Sequence, residues 1–313
     1  MPDLMGHGSR RLRADLALLA TAVVWGLAFV VCRMAAAQTG SFLYNGTRFL
    51  LGALTLLPFA GARLRGLTRA EVWGGGLVGA ILFVAASLQQ IGLRFTTAGK
   101  AGFITGLYVV FVPLCLALVW RQWPRRSTWV ASLLAAAGLF LLSAVEQLAL
   151  APGDGLELFG AVFWALHVIL IGRLARRVDV QRADVLRADV LRVDVLRVAL
   201  VQYLTCGLLS LAVGWLLESS TAPGLVSAWW AVLYTGVFSV GLGYTLQLIG
   251  QRQAPPEDAS VILSGEAVIA ALSGWLFLGE RLAPWQLLGC GLMLAGMILA
   301  QASLWRPSGR SRP

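Results

Sequence analysis

Charge is what this chain has least of. Only 13% of its 313 residues are charged, against about 25% in an ordinary soluble domain. Hydrophobic residues make up 58% and the mean hydropathy is +0.77. That balance excludes a soluble globular protein, so length says nothing about domain count. Lysine is almost missing: 24 of the 25 basic residues are arginine, and Lys100 is the exception. Histidine occurs twice, as His7 in the N-terminal tail and His167 inside an apolar run. The four cysteines, Cys32, Cys115, Cys206 and Cys290, all lie in apolar runs without a CxxC pair. They read as buried small hydrophobes, and no metal is expected. The chain has no Walker A sequence, no HExxH, no GxSxG and no paired carboxylates. ATP-driven transport by this chain alone is therefore not expected, and a non-enzyme without a cofactor is expected.

Long apolar runs are what the chain has instead. About 20 apolar residues at 1.5 Å rise cross a bilayer, and only helices or closed barrels satisfy backbone groups there. The runs predict ten spans: Ala14–Ala37, Leu43–Ala60, Val72–Leu93, Ala101–Trp120, Trp129–Val145, Leu156–Leu174, Val198–Leu217, Trp229–Gly250, Ala259–Leu278 and Trp285–Leu304. The connections have no room for a soluble domain. Ser9-Arg10-Arg11-Leu12 and Ala35-Ala36-Ala37 resemble a twin-arginine signal with its cleavage site. However, the run Ala14–Cys32 outlasts the roughly 7–15 residues of a signal core, so an uncleaved first helix is expected.

The chain also repeats itself. Shifted by 158 positions, Leu88–Leu142 lies on Leu246–Ala300 without a gap, matching Leu88/Leu246, Gln89/Gln247, Gly92/Gly250, Arg94/Arg252, Ala101/Ala259, Ile104/Ile262 and Gly138/Gly296. Two units of five spans follow, at 14–145 and 156–304. Five is odd, so the second unit enters the membrane upside down, as in inverted-repeat carriers. The fold expectation is an all-α membrane protein of ten transmembrane helices in two inverted five-helix repeats. With the N-terminus in the cytoplasm, 20 of the 25 basic residues fall on the inner side and 5 on the outer. The positive-inside rule then puts both termini in the cytoplasm of an inner (plasma) membrane protein. The same placement accounts for the net charge of +10 without a nucleic-acid partner.

One low-complexity segment stands apart. Asp179–Val198 reads as four pentapeptides, DVQRA, DVLRA, DVLRV and DVLRV. A period of five fits neither helix nor strand, so 178–198 is expected to be an expanded, solvated cytoplasmic loop.

Several elements together resemble the EamA type of the drug/metabolite transporter superfamily. They are Ala22-Val23-Val24-Trp25-Gly26, Arg48-Phe49, Tyr108-Val109-Val110-Phe111-Val112-Pro113, Ser264-Gly265-Glu266, Leu278-Gly279-Glu280-Arg281 and the spacing Gly289–Gly296. The resemblance covers residues 14–304. Two departures are Trp120-Arg121-Gln122-Trp123, where the family often has Gly-Glu-Arg, and Glu266-Ala267, where Glu-Pro is common. The resemblance implies a secondary carrier of small metabolites, amino acids or drugs, often an exporter. Such a carrier works by alternating access around a midplane cavity, with a small-molecule substrate and the lipid bilayer as partners. A homodimer is left open. A membrane-embedded enzyme, a channel or an accessory protein built on the same polar cluster is the alternative.

Six residues are the candidate substrate-binding set: Trp25, Arg48, Tyr108, Trp164, His167 and Glu266. An acid at the depth of Glu266 costs roughly 2.5–3.5 kcal/mol on insertion scales. It therefore faces a cavity, locks a cation, or packs as a neutral acid. Arg48, inside span two, either draws a carboxylate or pairs with Glu266. Tyr108 aligns with Glu266 in the 158-residue shift, which places both near one midplane axis. Trp25 aligns with Trp164 at a shift of 139, and both are cavity walls or interface anchors. His167 shares a helix face with Trp164 and is a relay, an anion site or a satisfied core histidine. Tyr44, Asn45, Gln202 and Tyr244 are secondary lining candidates. Pro113 is expected to break span four. Gly75 with Gly79, and Gly102 with Gly106, are expected to pack helices. Glu280 is expected to cap its helix or pair with Arg281.

Overall fold

The computed structural model describes residues 2–96, 98–143, 151–183, 194–218, 223–278 and 283–301. Helices and their connections make up all of these, with no strand among the described residues. In order the helices are α1 (Pro2–Ala36), α2 (Ser41–Ala60), α3 (Arg69–Gly92), α4 (Ala98–Gly106), α5 (Tyr108–Leu118), α6 (Arg126–Ser143) and α7 (Pro152–Ala183). They continue as α8 (Val195–Leu217), α9 (Pro223–Ser227), α10 (Trp229–Tyr234), a π-helical stretch (Thr235–Tyr244), α11 (Thr245–Gln251), α12 (Pro256–Leu263), α13 (Glu266–Leu278) and α14 (Pro284–Gln301). Among the described residues, six helical stretches are long and apolar enough to cross a membrane: Arg10–Ala36, Arg69–Gly92, Ala101–Leu118, Pro152–Ala175, Val195–Leu217 and Trp229–Gln251.

Local chemistry sets the helix ends. Thr68 and Glu71 form a capping box at the start of α3: the Glu71 N–H donates to Thr68 Oγ1 at 3.2 Å, and the Thr68 N–H to Glu71 Oε2 at 2.7 Å. Two orphan N–H groups are thereby satisfied. At the start of α8, Asp194 accepts from the Leu196 N–H at 2.8 Å. The Asp194 N–H donates to Glu71 Oε1 at 2.6 Å, and Arg197 lies 3.4 Å from the same carboxylate. The fully buried Glu71 thus ties two helix starts together.

The loop expected over 178–198 is corrected at its two ends only. Helix α7 runs to Ala183, and the last pentapeptide copy caps and opens α8, with Val198 1% exposed. The period of five excludes one long helix but leaves a single copy free to serve as a helix start. The copies between, at 184–193, lie outside the described residues, as does Glu280.

Contacts fix two opposite ends of the bundle. At one, Arg11 pairs with Asp15 at 2.9 Å and with Asp258 at 3.1 Å, joining α1 to α12. At the other, Glu218 accepts from the N–H groups of Phe42 and Leu43 at 2.8 and 3.0 Å, capping α2 from the end of α8. Helices α6 and α14 approach closely because Gly138 meets the Gly289 carbonyl and Gly296 meets the Ala131 carbonyl. Gly75 and Gly79 pack on Val201 and Gln202 of α8, as expected. Of the other pair, Gly106 packs on Leu139, whereas Gly102 faces open space.

Two passes through the bundle are broken, and at matching places. Between α4 and α5 the turn tightens to i→i+3 bonds, Leu107 N–H to Ile104 O (3.2 Å) and Val110 N–H to Leu107 O (2.9 Å). Between α12 and α13 the same bonds run from Gly265 N–H to Ile262 O (3.1 Å) and from Val268 N–H to Gly265 O (3.0 Å). Each bond is displaced by the 158-residue shift of the sequence. Pro113 is not the breaker: it lies inside α5, beyond the break. What the two breaks share is a short i→i+3 turn, and α5 and α13 restart at Tyr108 and Glu266.

Candidate functional site

A small cavity, open on one side, lies between α1, α2, α3, α4, α5, α7, the π-helical stretch, α11 and α13. Both restarted helices present their first residue to it. The Tyr108 hydroxyl donates to Glu266 Oε1 at 3.2 Å, and both residues are buried, at 3% exposure each. This is the hydrogen bond of Glu266 among the described residues. A hydrogen bond to a charged group contributes about 1.5–3 kcal/mol, roughly twice a neutral one.

Arg48 lines the same cavity but does not lock Glu266. Its Nε donates to Asn45 Oδ1 at 3.0 Å and its Nη1 to Cys32 Sγ at 3.2 Å. The guanidinium carbon sits 5.3 Å from the Tyr44 ring centre and 5.1 Å from that of Phe49, within cation–π range. The Arg48–Glu266 pairing considered from sequence is therefore replaced by a cation held by its own helix and by aromatic faces. Tyr44 and Asn45 act behind it: the Tyr44 hydroxyl bonds Thr235 at 2.9 Å, and Asn45 Nδ2 donates to the Ala86 carbonyl at 2.9 Å.

Aromatic rings form one wall. Trp25 and Tyr244 are 4.6 Å apart, Trp25 and Trp164 6.4 Å, and Trp164 stacks on Tyr244 at 6.2 Å and 11°. Trp25 Nε1 donates to the Ser239 carbonyl at 3.1 Å, a bond offered by the π-helical stretch. Such wide turns displace carbonyls from the regular ladder and recur at functional sites. Both tryptophans are thus cavity walls in this structure rather than interface anchors.

His167 is not on the cavity wall. It packs edge-on against Trp164 and Tyr244, at 5.9 and 5.7 Å, and its Nε2 faces Gln202 Oε1 at 3.2 Å. One helical turn separates it from Trp164, but the face they share points Trp164 inward and leaves His167 one layer back. Gln202, a secondary lining candidate, is buried with it.

Four polar residues were not singled out from sequence. Gln89 and Gln247, which match in the 158-residue shift, both line the cavity. Gln89 Nε2 donates to Thr105 Oγ1 at 3.3 Å, and Thr105 Oγ1 donates to Glu157 Oε2 at 2.9 Å. Gln247 has no partner for either amide atom, because the residue matching Thr105 is Leu263. The repeat in the sequence was the signal that could have found this pair. Among the described residues no group of three His, Cys, Asp or Glu side chains converges as a metal site.

Comparison with known proteins fits this arrangement. A solved crystal structure superposes with a TM-score of 0.73 at 20% identity, covering 94% of this chain and 98% of that one, which shows a shared fold. An uncharacterized transporter of Archaeoglobus fulgidus is 30% identical over 294 residues, covering 94% of this chain and 87% of that protein. The inner membrane transporter YedA of Escherichia coli K12, also uncharacterized, is 24% identical across 90% of this chain and 89% of its own length. The threonine/homoserine exporter RhtA of the same strain matches only 70 residues, 21% of this chain and 24% of its own, at 37% identity. The model of the EamA-like transporter family matches residues 12–144 and again 151–301. With its helical bundle, membrane-length spans and a match across nearly its whole length, this chain belongs to the EamA-like transporter family.

Proposed function

We propose that the protein is a secondary carrier that moves a small zwitterionic metabolite, an amino acid in the first instance, out of the cell by alternating access. The observation that carries this is the hydrogen bond between Tyr108 and Glu266. Two residues 158 positions apart, each opening the second half of a broken helix, meet at the cavity between the two halves of the chain. Discontinuous helices facing a central cavity are how inverted-repeat carriers bind solutes. On this reading the chain crosses the membrane ten times in two inverted units, 14–145 and 156–304, with both termini in the cytoplasm. The Arg11–Asp15–Asp258 cluster then lies at the cytoplasmic end and Glu218 at the outer end.

The binding set is Glu266, Tyr108, Arg48, Trp25 and Trp164, with Gln89, Gln247 and Tyr244 added. Glu266 faces the solute's ammonium, Arg48 its carboxylate, and the aromatic wall its side chain. His167 positions Trp164 and Tyr244 from behind. The short match to RhtA makes threonine the first solute to try. The test is counterflow in proteoliposomes loaded with unlabelled L-threonine and given labelled threonine outside. Accumulation that fails in Glu266→Gln at equal protein level is expected. No accumulation with threonine or any other amino acid overturns the amino-acid assignment.

A further inference from the structure

Glu157 is a second acid inside the bundle, and the binding set above does not use it. It is fully buried on α7, within the stretch Pro152–Ala175. Oε2 accepts from Thr105 Oγ1 at 2.9 Å, while Oε1 has no partner. A carboxyl with one oxygen unsatisfied in a membrane interior is costly unless it binds something.

The molecule holds its own control for that position. The shift of 139 that matches Trp25 with Trp164 also matches Leu18 with Glu157. The shift of 158 matches Gly250 with Gly92. A Cβ on Gly92 would lie 2.7 Å from Glu157 Oε1, and a Cβ on Gly250 would lie 2.6 Å from Leu18 Cγ. Each side chain therefore fills the notch left by an equivalent glycine. Thr105, which bonds Glu157, corresponds to Leu263, which is fully buried like Leu18. At one of the two equivalent sites two apolar residues, Leu18 and Leu263, fill the positions. At the other a bonded acid and hydroxyl, Glu157 and Thr105, take their places. Packing alone does not call for the acid.

On the carrier reading above, we propose that Glu157 is a proton-binding site that sets the hydrogen-bond sense of the cavity wall. The charged carboxylate accepts from Thr105, so Thr105 Oγ1 can only accept from Gln89 on the cavity side. A proton taken up on Oε2, the oxygen that faces Thr105, makes Glu157 a donor there and leaves Oε1 a carbonyl oxygen. Thr105 then accepts from the acid and turns its own hydrogen toward the cavity, displacing Gln89 Nε2. One proton bound at the back of the wall thus reverses one donor at the front. The proton's route is marked by Asp154, one turn earlier on α7 and bonded to Thr96 Oγ1 at 2.8 Å and the Ala151 N–H at 2.7 Å. Asp154 is also the charged group that acts electrostatically on Glu157. A metal cation is a poorer fit, because Thr105 turns a hydrogen rather than a lone pair to the acid and Gly92 closes off Oε1.

The test is an infrared pH titration of the full-length protein in lipid nanodiscs, which needs no solute. A carboxylic-acid C=O band that fades as pH rises is expected, absent in Glu157→Leu and in Glu157→Gln. Thr105→Leu should keep that band but move it to higher frequency. Both leucine changes copy the equivalent site, so wild-type melting is expected, and Glu157→Gln keeps the assay open if Glu157→Leu does not fold. Spectra unchanged by either Glu157 substitution overturn the proposal, as does a Glu157 band that ignores pH. Loss of the band on adding sodium chloride, but not choline chloride, at fixed pH overturns it in favour of sodium. Failure of the carrier reading would appear separately, as absent counterflow with the Glu157 band intact.

Discussion

The two broken helices are built alike and charged differently. Both tighten into i→i+3 turns at positions 158 apart, and both restart with a side chain aimed at the cavity. On one side that residue is a phenol, Tyr108, and on the other a carboxylate, Glu266. Two acids there would repel at close range, and two phenols would leave the cavity without that anionic group. One of each gives a donor–acceptor pair with a single carboxyl group at the cavity. Matching sequence halves therefore supply the geometry, and a difference between them supplies the chemistry.

Breaking that difference should have the largest effect. Tyr108→Glu places a second acid 158 positions from the first with no donor between them. Loss of a buried partner typically costs about 3–5 kcal/mol, so the protein level in membranes should collapse. Adding Glu266→Tyr exchanges the roles and should restore it, as read by fluorescence-detected gel filtration. A double variant no better than Tyr108→Glu alone would show that the two positions are not equivalent.

Glu266→Gln keeps the shape and a hydrogen-bond acceptor for Tyr108 while removing the charge. Counterflow should fall roughly tenfold or more, the equivalent of the 1.5–3 kcal/mol of a charged hydrogen bond, at near-normal protein level. Wild-type counterflow at every pH would remove Glu266 from the site.

Helix α1 crosses the restart of α13 at Gly26, where an added Cβ would lie 2.5 Å from the Glu266 carbonyl and 2.6 Å from Ile269 Cβ. The matching residue on α7 is Ala165, which is fully buried. Gly26→Ala should destabilise by about 1–3 kcal/mol, as overpacking does, and lower the melting temperature in detergent. Gly102→Ala, on α4 with open space around it, should change stability by less than about 0.5 kcal/mol. Equal losses in both would refute the close crossing.

Much of this layout was legible in the sequence. The 158-residue shift put Tyr108 and Glu266 near one axis, because a gapless repeat keeps matching residues at matching depth, but the breaks beside them were not read from it: Pro113, the expected breaker, lies inside α5. The 139-residue shift paired Trp25 with Trp164, which share one aromatic wall. Other features left no trace in a span-by-span reading. His167 and Trp164 share a face, but whether that face meets a cavity or a neighbour depends on helix rotation. Arg48 found Asn45 and Cys32 rather than Glu266, a choice made by tertiary packing. Glu157 sits near the start of an apolar run, where acids usually reach the interface, and only the fold shows it sealed from solvent. The π-helical stretch Thr235–Tyr244 follows no apolar period, although Gly236, Gly241 and Gly243 permit its tight contacts with α2 and Trp25.

The junction at Asp194 has a consequence for inheritance. Tandem units of fifteen nucleotides are prone to gain or loss when DNA is copied. Most insertions of that kind next to a membrane helix would ruin its start. Here each unit carries an Asp in first place and an Arg in fourth, the residues that cap α8 and meet Glu71. When one unit is lost, the next presents the same cap to the same partner. Copy number can therefore drift between lineages while the helix start stays where it is.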